Sequence, residues 1–373
     1  VPASITFVDD AAALAPALDD VTDDVVGVDV ERADSHRYHR RAALVQVGDA
    51  DACVLLDPLA VPEPEPLLPL FRERLVVLHA LENDVEPLEA LGLELPNVAD
   101  TGVAAAMLGM PTGLTTLLEE VLGVELDTDK DRYQRADWEQ RPLSQGMVEY
   151  AAGDVLHLPA LWRAMQQRLD DAGRWDWYEQ ELQATLELAR TDTRDWTRTK
   201  GAGRLDPRGR AVLRALWEER ERICVTQDVA PNRLIHDKVL LALAEEPADG
   251  VGELVRRGQR RAGPLKDHAQ ELYDALRRGL EAEPEEKQDA HRMTEEDRAA
   301  FDALRKRRSR TARQVGLDAG VLCPGRMLRE AVAAGPSDPE TFASAAGLRP
   351  WQQELLLDDL WTTYRGALEE AAG

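Results

Sequence analysis

Val25-Val26-Gly27-Val28-Asp29-Val30-Glu31 is a short apolar run that ends in two acids spaced two apart. Val-rich runs of this length, bounded by charged residues, read as strands, and strand side chains alternate with period two. Asp29 and Glu31 therefore leave the same face, at the carboxyl end of the strand, where open α/β sheets place ligands. Two anions on one face repel unless a cation stands between them, and Mg2+ or Mn2+ favours carboxylate oxygen. Read alone, the pair equally fits solvated acids at a strand end. Working outward, residues 44–47, 53–56 and 75–78 repeat the strand pattern. Helical patterns lie between and after them at 67–72, 84–91, 101–108 and 114–122, with a long one at 144–169. The first half reads as an α/β domain.

Two further pieces carry chemistry. Asp84 follows the strand at 75–78 through His79-Ala80-Leu81-Glu82-Asn83 and opens a helix. Taken alone it fits an N-cap or a first-turn acid that complements the helix dipole. Tyr150 and Asp154 stand four apart in Glu149-Tyr150-Ala151-Ala152-Gly153-Asp154-Val155, so a phenol and a carboxylate share one helix face, one turn apart. The small residues between them let another group approach that face closely.

The order of the three pieces, DxE on a strand, Asp after a later strand and YxxxD on a helix, resembles the tyrosine-bearing branch of the DEDD exonucleases. Within that superfamily the chain is most similar to the ribonuclease D family. Val28-Asp29-Val30-Glu31 looks like the first exonuclease motif, Leu78-His79-Ala80 through Asp84 like the second, and Tyr150 through Val155 like the third. Asp137-Trp138 and Arg141-Pro142-Leu143 resemble the lead-in to that third motif. The resemblance covers about residues 5–170. Departures are small: Val30 stands where Thr is common, and 127–135 is slightly longer than usual.

The resemblance implies a ribonuclease H-like fold, a mixed sheet flanked by helices, that brings Asp29, Glu31, Asp84 and Asp154 together as ligands of two divalent ions, Mg2+ or Mn2+. Two such ions about 3.5 to 4 Å apart hold an attacking water and a leaving 3′ oxygen in line. Tyr150 would orient the water, since a phenol of ordinary pKa is a poor base at neutral pH. The implied substrate is RNA with a free 3′ end, tRNA precursors and other small structured RNAs, cut to nucleoside 5′-monophosphates.

The formal charge of −25 at first opposes a polyanion partner. Its distribution matters more: residues 1–195 carry net −24, 196–280 net +4 and 281–373 net −5. A strongly acidic half binds nucleic acid only with its carboxylates masked by cations, and the middle segment supplies attraction. No run approaches the roughly 18 apolar residues of a membrane span. Cys53, Cys224 and Cys323 form no CxxC pair, which argues against a thiolate zinc site and for a reducing cytoplasm. The opening decapeptide lacks both a secretory signal pattern and an initiator Met, so the numbering is expected to begin inside a longer chain.

Beyond the exonuclease region, expected over 1–192, residues 193–205 read as a polar linker. Residues 206–281 and 293–372 read as two all-helical bundles of similar length, each with an arginine-rich opening helix and a proline-marked middle, the pattern of a diverged internal repeat. Trp217-Glu218-Glu219-Arg220 and Asp228 through Ile235 resemble the HRDC domain of helicases and ribonuclease D, an auxiliary nucleic-acid-binding bundle; the second segment resembles it more faintly. His79 and the cluster Arg256, Arg257, Arg260 and Arg261 are the expected nucleic-acid contacts, with 305–308 further on, although an arginine run equally fits a solvated helix face. His157, Cys224 and Trp351 read as packing residues.

Rival readings use the same residues. A DNA 3′-5′ exonuclease needs the same carboxylates, and the 2′-OH contact that separates RNA from DNA cannot be located in a sequence. An inactive RNA-binding scaffold is opposed by the presence of all four acids and the tyrosine. A helicase is opposed by the lack of any GxxxxGK[ST] phosphate loop, which also removes nucleoside triphosphates from the expected partners.

Overall fold

The computed structural model describes residues 3–32, 36–39, 41–125, 130–134, 136–191, 194–258, 264–286 and 293–372. The chain divides into two units, residues 1–31 with 42–190 and 291–373, and residues 32–41 with 191–290.

In the first unit the chain runs β1 (Ser4–Val8), α1 (Ala11–Leu18), β2 (Val25–Arg32), β3 (Ala42–Gly48), β4 (Ala52–Leu56), α2 (Leu67–Glu73), β5 (Leu75–Leu78), α3 (Val85–Ala90) and β6 (Val98–Asp100). Helices follow: α4 (Thr101–Leu108), α5 (Leu114–Leu117), α6 (Lys130–Tyr133), α7 (Gln145–Leu156), α8 (Leu158–Asp171) and α9 (Trp175–Ala189). The strands form one six-stranded sheet in the order β1-β4-β3-β2-β5-β6. It is mixed: β1 runs parallel to β4, β4 antiparallel to β3, and β2, β5 and β6 are mutually parallel. Every residue of β3 and β4 is buried, as expected for central strands covered on both faces.

Period two is visible in β2. Val26, Val28 and Val30 face the core shared with Leu14, Phe71 and Leu88 from the helices α1, α2 and α3. The alternate residues Gly27, Asp29 and Glu31 are left to the opposite face. The expected helix at 144–169 is two helices that meet at His157; Pro159 lies in the first turn of α8, where its missing amide costs no hydrogen bond. Strands β1 and β6 escaped the sequence reading because each is an edge of the sheet. β1 leaves Ile5 exposed, and β6 is only 3 residues long.

In the second unit the helices are α10 (Pro207–Gln227), α11 (Pro231–Leu234), α12 (Asp237–Glu245), α13 (Val251–Gly258) and α14 (Ala269–Glu281). The expected linker is not a free connection. Among its described residues, Trp196–Arg198 and Ala202–Arg204 form 3-10 turns, and Trp196 joins Val212, Leu213 and Leu216 in the bundle core with the Arg210 guanidinium 5.0 Å from its ring centroid. A single Trp in a polar stretch leaves no periodicity to read. Residues 36–39 belong to this unit as well: Ala230 N–H donates to the His36 carbonyl at 3.1 Å, and Arg37 pairs with Asp228 at 3.3 Å.

The chain returns to the first unit with α15 (Glu295–Val315), α16 (Ala319–Leu322), α17 (Gly325–Ala334), α18 (Pro339–Ala346) and α19 (Pro350–Ala372). Whereas α19 begins 81 residues after α14, the first four of these helices repeat the first four of the preceding bundle at a constant spacing of 88 residues. The N-caps Asp206 and Thr294, the left-handed caps Asp228 and Gly316, and the starts of α11 and α16 and of α13 and α18 all obey it. So does one tertiary bond. Arg220 donates to the Ile235 carbonyl at 3.3 Å, and Arg308 donates to the Cys323 carbonyl at 2.8 Å, each tying a long helix to the end of the short one after it.

The second bundle packs on the exonuclease helices through specific groups. Trp351, fully buried, stacks on Trp177 of α9 at 5.0 Å, and its indole N–H donates to Glu181 at 2.7 Å. Arg349 donates to the same carboxylate at 2.8 Å. Arg174 bridges the Met107 and Val315 carbonyls. Gly109, at φ +71, ends α4 so close to the Gly316 carbonyl that a Cβ there would overlap it.

Candidate active site

Gly27 sets the depth of the site. Helix α7 packs across β3 and β4, and a Cβ at Gly27 would overlap the Val155 carbonyl oxygen in its last turn. A strand glycine marks a place where another backbone comes close. That approach brings the end of α7 against the face of β2 that carries Asp29 and Glu31. The half-buried Asp29, Glu31 and Asp154 each offer a carboxylate oxygen, and these oxygens lie within 4.8 Å of one another. Three hard oxygen donors at this spacing fit a divalent cation of the Mg2+ or Mn2+ class.

Tyr150 stands one turn before Asp154, 6% exposed, and its phenol O–H donates to the Asp154 carboxylate. Burial first, then the charges of Asp154, Glu31 and Asp29, push its pKa far above the ordinary phenol value. The group is a protonated donor, unsuited to act as a general base. Its ring lies against Tyr133 at 5.6 Å and Trp138 at 6.1 Å. Trp138 is itself held, its indole N–H donating to the Tyr133 carbonyl at 3.1 Å.

Arg141 fastens this lead-in to the sheet. Its guanidinium donates to the Trp138 carbonyl at 2.7 Å, the Ala43 carbonyl at 2.8 Å and the Asp57 carboxylate at 2.6 Å. The salt bridge to Asp57 is nearly buried on the acid's side, at 5% exposure. Asp57 was not singled out in the sequence, since its partner lies 84 residues away.

Asp84 is placed differently. It is 4% exposed at the N-cap of α3, but its carboxylate makes no capping bond to that helix, so the capping role that its position suggests is not the one it fills. It lies outside the cluster of three oxygens. The turn leading to it is braced from β6. Asp100 accepts the Leu81 amide at 2.7 Å and the Val103 amide at 2.8 Å, and its own amide donates to the Tyr178 hydroxyl at 2.9 Å. Complete burial pushes the Asp100 carboxyl up to about 6. The brace holds Ala80 in a left-handed conformation, φ 63, that costs a non-glycine residue roughly 1 to 3 kcal/mol. His79 shares Nδ1 with the Thr101 hydroxyl at 2.9 Å, so its ring is fixed in the same turn. Asp100 was missed in the sequence because its role depends on β6.

The basic residues divide. Arg257 donates to the Glu246 carbonyl at 2.5 Å and the Ala242 carbonyl at 2.9 Å, tying α13 to α12, whereas Arg256 is exposed. Arg260 and Arg261 lie outside the described residues. Arg307 pairs with Asp359, and Arg308 bonds Cys323, so half of the run at 305–308 holds its own bundle together. His157 is half-buried at the junction of α7 and α8, and burial lowers its pKa. Cys224 and Trp351 are fully buried.

Comparison with known proteins follows the same outline. A 3′-5′ exonuclease family model matches residues 4–170, and an HRDC domain model matches 297–363. The HRDC match thus falls in the second bundle, where the sequence likeness was the fainter, and the spacing of 88 residues maps it onto the first. The chain is 35% identical to ribonuclease D of Pseudomonas paraeruginosa over 230 residues, 60% of each chain. It is 32% identical to that of Granulibacter bethesdensis over 69% of this chain and 66% of the other. The match thus spans about three-fifths to two-thirds of these relatives' length. The crystal structure of Escherichia coli RNase D, described as an exoribonuclease involved in structured RNA processing, superposes with a TM-score of 0.79 over 97% of this chain and 99% of the other, at 22% identity, which establishes the common fold. The chain thus carries a 3′-5′ exonuclease domain of the DEDD type, a divalent-metal-dependent class, over its sheet and an HRDC domain at 297–363, and it is similar to ribonuclease D.

Proposed function

We propose that this chain is a metal-dependent 3′-5′ exoribonuclease, that Asp29, Glu31, Asp84 and Asp154 hold its two divalent ions, Mg2+ or Mn2+, and that Tyr150 orients the attacking water. The observation that carries the reading is the convergence of Asp29, Glu31 and Asp154 on one spot with a protonated phenol beside them. When bound, the ions lower the pKa of the attacking water and stabilise the leaving 3′ oxygen. The carboxylates keep the site acidic until it is loaded, so phosphate enters only a charged-balanced pocket. Tyr150 O–H, unable to accept a proton, fixes the orientation of its oxygen neighbours. Water oxygen attacks phosphorus, the bond to the 3′ oxygen breaks, and the chain, one residue shorter, keeps a 3′-hydroxyl while a nucleoside 5′-monophosphate leaves.

Small structured RNAs with a free 3′ end, tRNA precursors among them, are the proposed substrates, in line with the family resemblance. The domain reading is proposed with it: exonuclease domain 1–192, HRDC domain 206–281 and a second, diverged HRDC-like domain 293–372. Cys53, Cys224 and Cys323 are free and buried, which supports a reducing compartment, the cytoplasm. Among the described residues no helix is long and apolar enough to cross a membrane. The test is incubation of purified protein with matched 5′-labelled RNA and DNA strands, with Mg2+, with Mn2+ and with chelator. Stepwise shortening of RNA that requires metal is expected. Preferential shortening of DNA would assign the chain to the DNA exonucleases.

A further inference from the structure

The second unit opens a groove of about 890 Å³ between its 3-10 turns and the helices α10 to α12. Four of the cations lining it, Arg194, Arg198, Lys200 and Lys238, are exposed, and Arg198, Lys200 and Lys238 form no ion pair among the described residues. The other two lining arginines are already matched. Arg37 pairs with Asp228, and Arg220 pairs with Glu221 at 3.0 Å and Asp237 at 2.5 Å. The remaining acid of the lining, Asp195, accepts the Thr197 amide at 2.6 Å as the cap of a 3-10 turn, and its charge offsets part of that of Arg198 beside it. In a chain of net charge −25 the groove therefore keeps an excess of positive charge. Two half-buried rings stand among these cations, Tyr38 and Trp217, with the Arg194 guanidinium 4.3 Å from the Tyr38 centroid.

Cations in excess of the acids around them answer phosphates, and aromatic faces answer unstacked bases. A folded duplex offers phosphates but no free base faces, and an acidic peptide offers charge but no planar bases. We infer that this groove binds a single RNA strand, its phosphates on Arg198, Lys200 and Lys238 and its bases against Trp217 and Tyr38. The choice of RNA rests on the exoribonuclease reading; the choice of a single strand rests on the groove. The reading differs from the expected contacts at Arg256 and Arg257, of which the second is committed to backbone carbonyls.

The test uses full-length protein made inactive by Asp154→Asn, binding a labelled 12-nucleotide RNA across a salt series at constant Mg2+. Replacing Arg198, Lys200 and Lys238 together by Gln should weaken binding at least tenfold. The slope of log affinity against log salt should fall by about 2, at roughly 0.7 per phosphate contact on a single strand. Trp217→Leu should cost roughly 5- to 100-fold and Trp217→Phe much less, because a ring remains to stack. Unchanged affinity and slope in the triple variant would overturn the inference. So would a blunt RNA duplex bound as tightly as the strand, polyglutamate competing as well as RNA at equal charge, or DNA preferred over RNA by tenfold. Hydrolysis of a dinucleotide by the unsubstituted protein separates the two claims. If it proceeds while the groove variants bind like the parent, only the groove fails; if no nucleotide is released from any RNA, the exoribonuclease reading fails.

Discussion

Tyr150 has its phenol buried beneath Tyr133 and Trp138 and facing three carboxylates, and that setting dictates what it can do. Tyr150→Phe keeps the ring and removes only the donor. Turnover should fall about 10²-fold with KM unchanged, the scale of a positioned proton or orienting group; single-turnover kinetics decide, and normal turnover with a raised KM would make Tyr150 a substrate contact instead. In chelator, a difference titration against Tyr150→Phe should show no tyrosinate from this residue below pH 10, since burial and the three acids all favour the protonated form. Spacing made this group legible in the sequence: DxE shares a strand face and YxxxD a helix face whatever surrounds them. Arg141 and Asp57 were not legible as a pair, because only folding brings residues 84 apart into one salt bridge. Arg141→Ala would leave Asp57 buried without its cation, a loss of about 3 to 5 kcal/mol. Urea denaturation measures it, and a loss below 1 kcal/mol would show that the clamp is dispensable.

Gly27 and Asp100 act through the elements they seat. Gly27→Ala forces a methyl against the last turn of α7, so the Asp154 end must retreat from Asp29 and Glu31. Hydrolysis should fall at least tenfold while circular dichroism keeps its helical signal; unimpaired hydrolysis would mean that α7 has room to spare. The signal was in the sequence, a lone glycine inside a valine strand, and it reads as close approach once the neighbour is known. Asp100 carries a pH consequence. Its folded pKa of about 6 exceeds the ordinary 3.8, so the stability it lends is full below the lower value and is lost as pH rises through the higher. The melting temperature of the parent relative to Asp100→Asn should therefore rise from pH 7 to pH 5; a drift in the opposite direction would contradict the burial of the charge. The edge strand β6, 3 residues long, was beyond pattern reading, and with it went the brace under His79-Ala80-Leu81.

At the scale of the molecule, the sequence carried the division into an α/β region and two like bundles, because apolar periodicity and charge blocks are local properties. Which unit each bundle joins is not local. The second bundle packs on the exonuclease helices through Trp351, Trp177, Glu181 and Arg349, residues whose partnership spans some 170 positions. Trp351→Ala should cost about 3 to 5 kcal/mol, the range for emptying a fully buried aromatic site, and lower the urea midpoint; an unmoved midpoint would show that this contact does not stabilise the unit. The carboxylate cluster remains the centre of the account, since fold, charge distribution and family likeness all converge on it. The most direct measurement is the product ladder from a 5′-labelled single-stranded RNA with Mg2+ or Mn2+, compared between the unsubstituted chain and Asp154→Asn at matched folding. The unsubstituted chain should remove one nucleotide at a time from the 3′ end, and Asp154→Asn should be slower by several orders of magnitude; near-parental turnover by Asp154→Asn, or internal cleavage in place of a ladder, would contradict it.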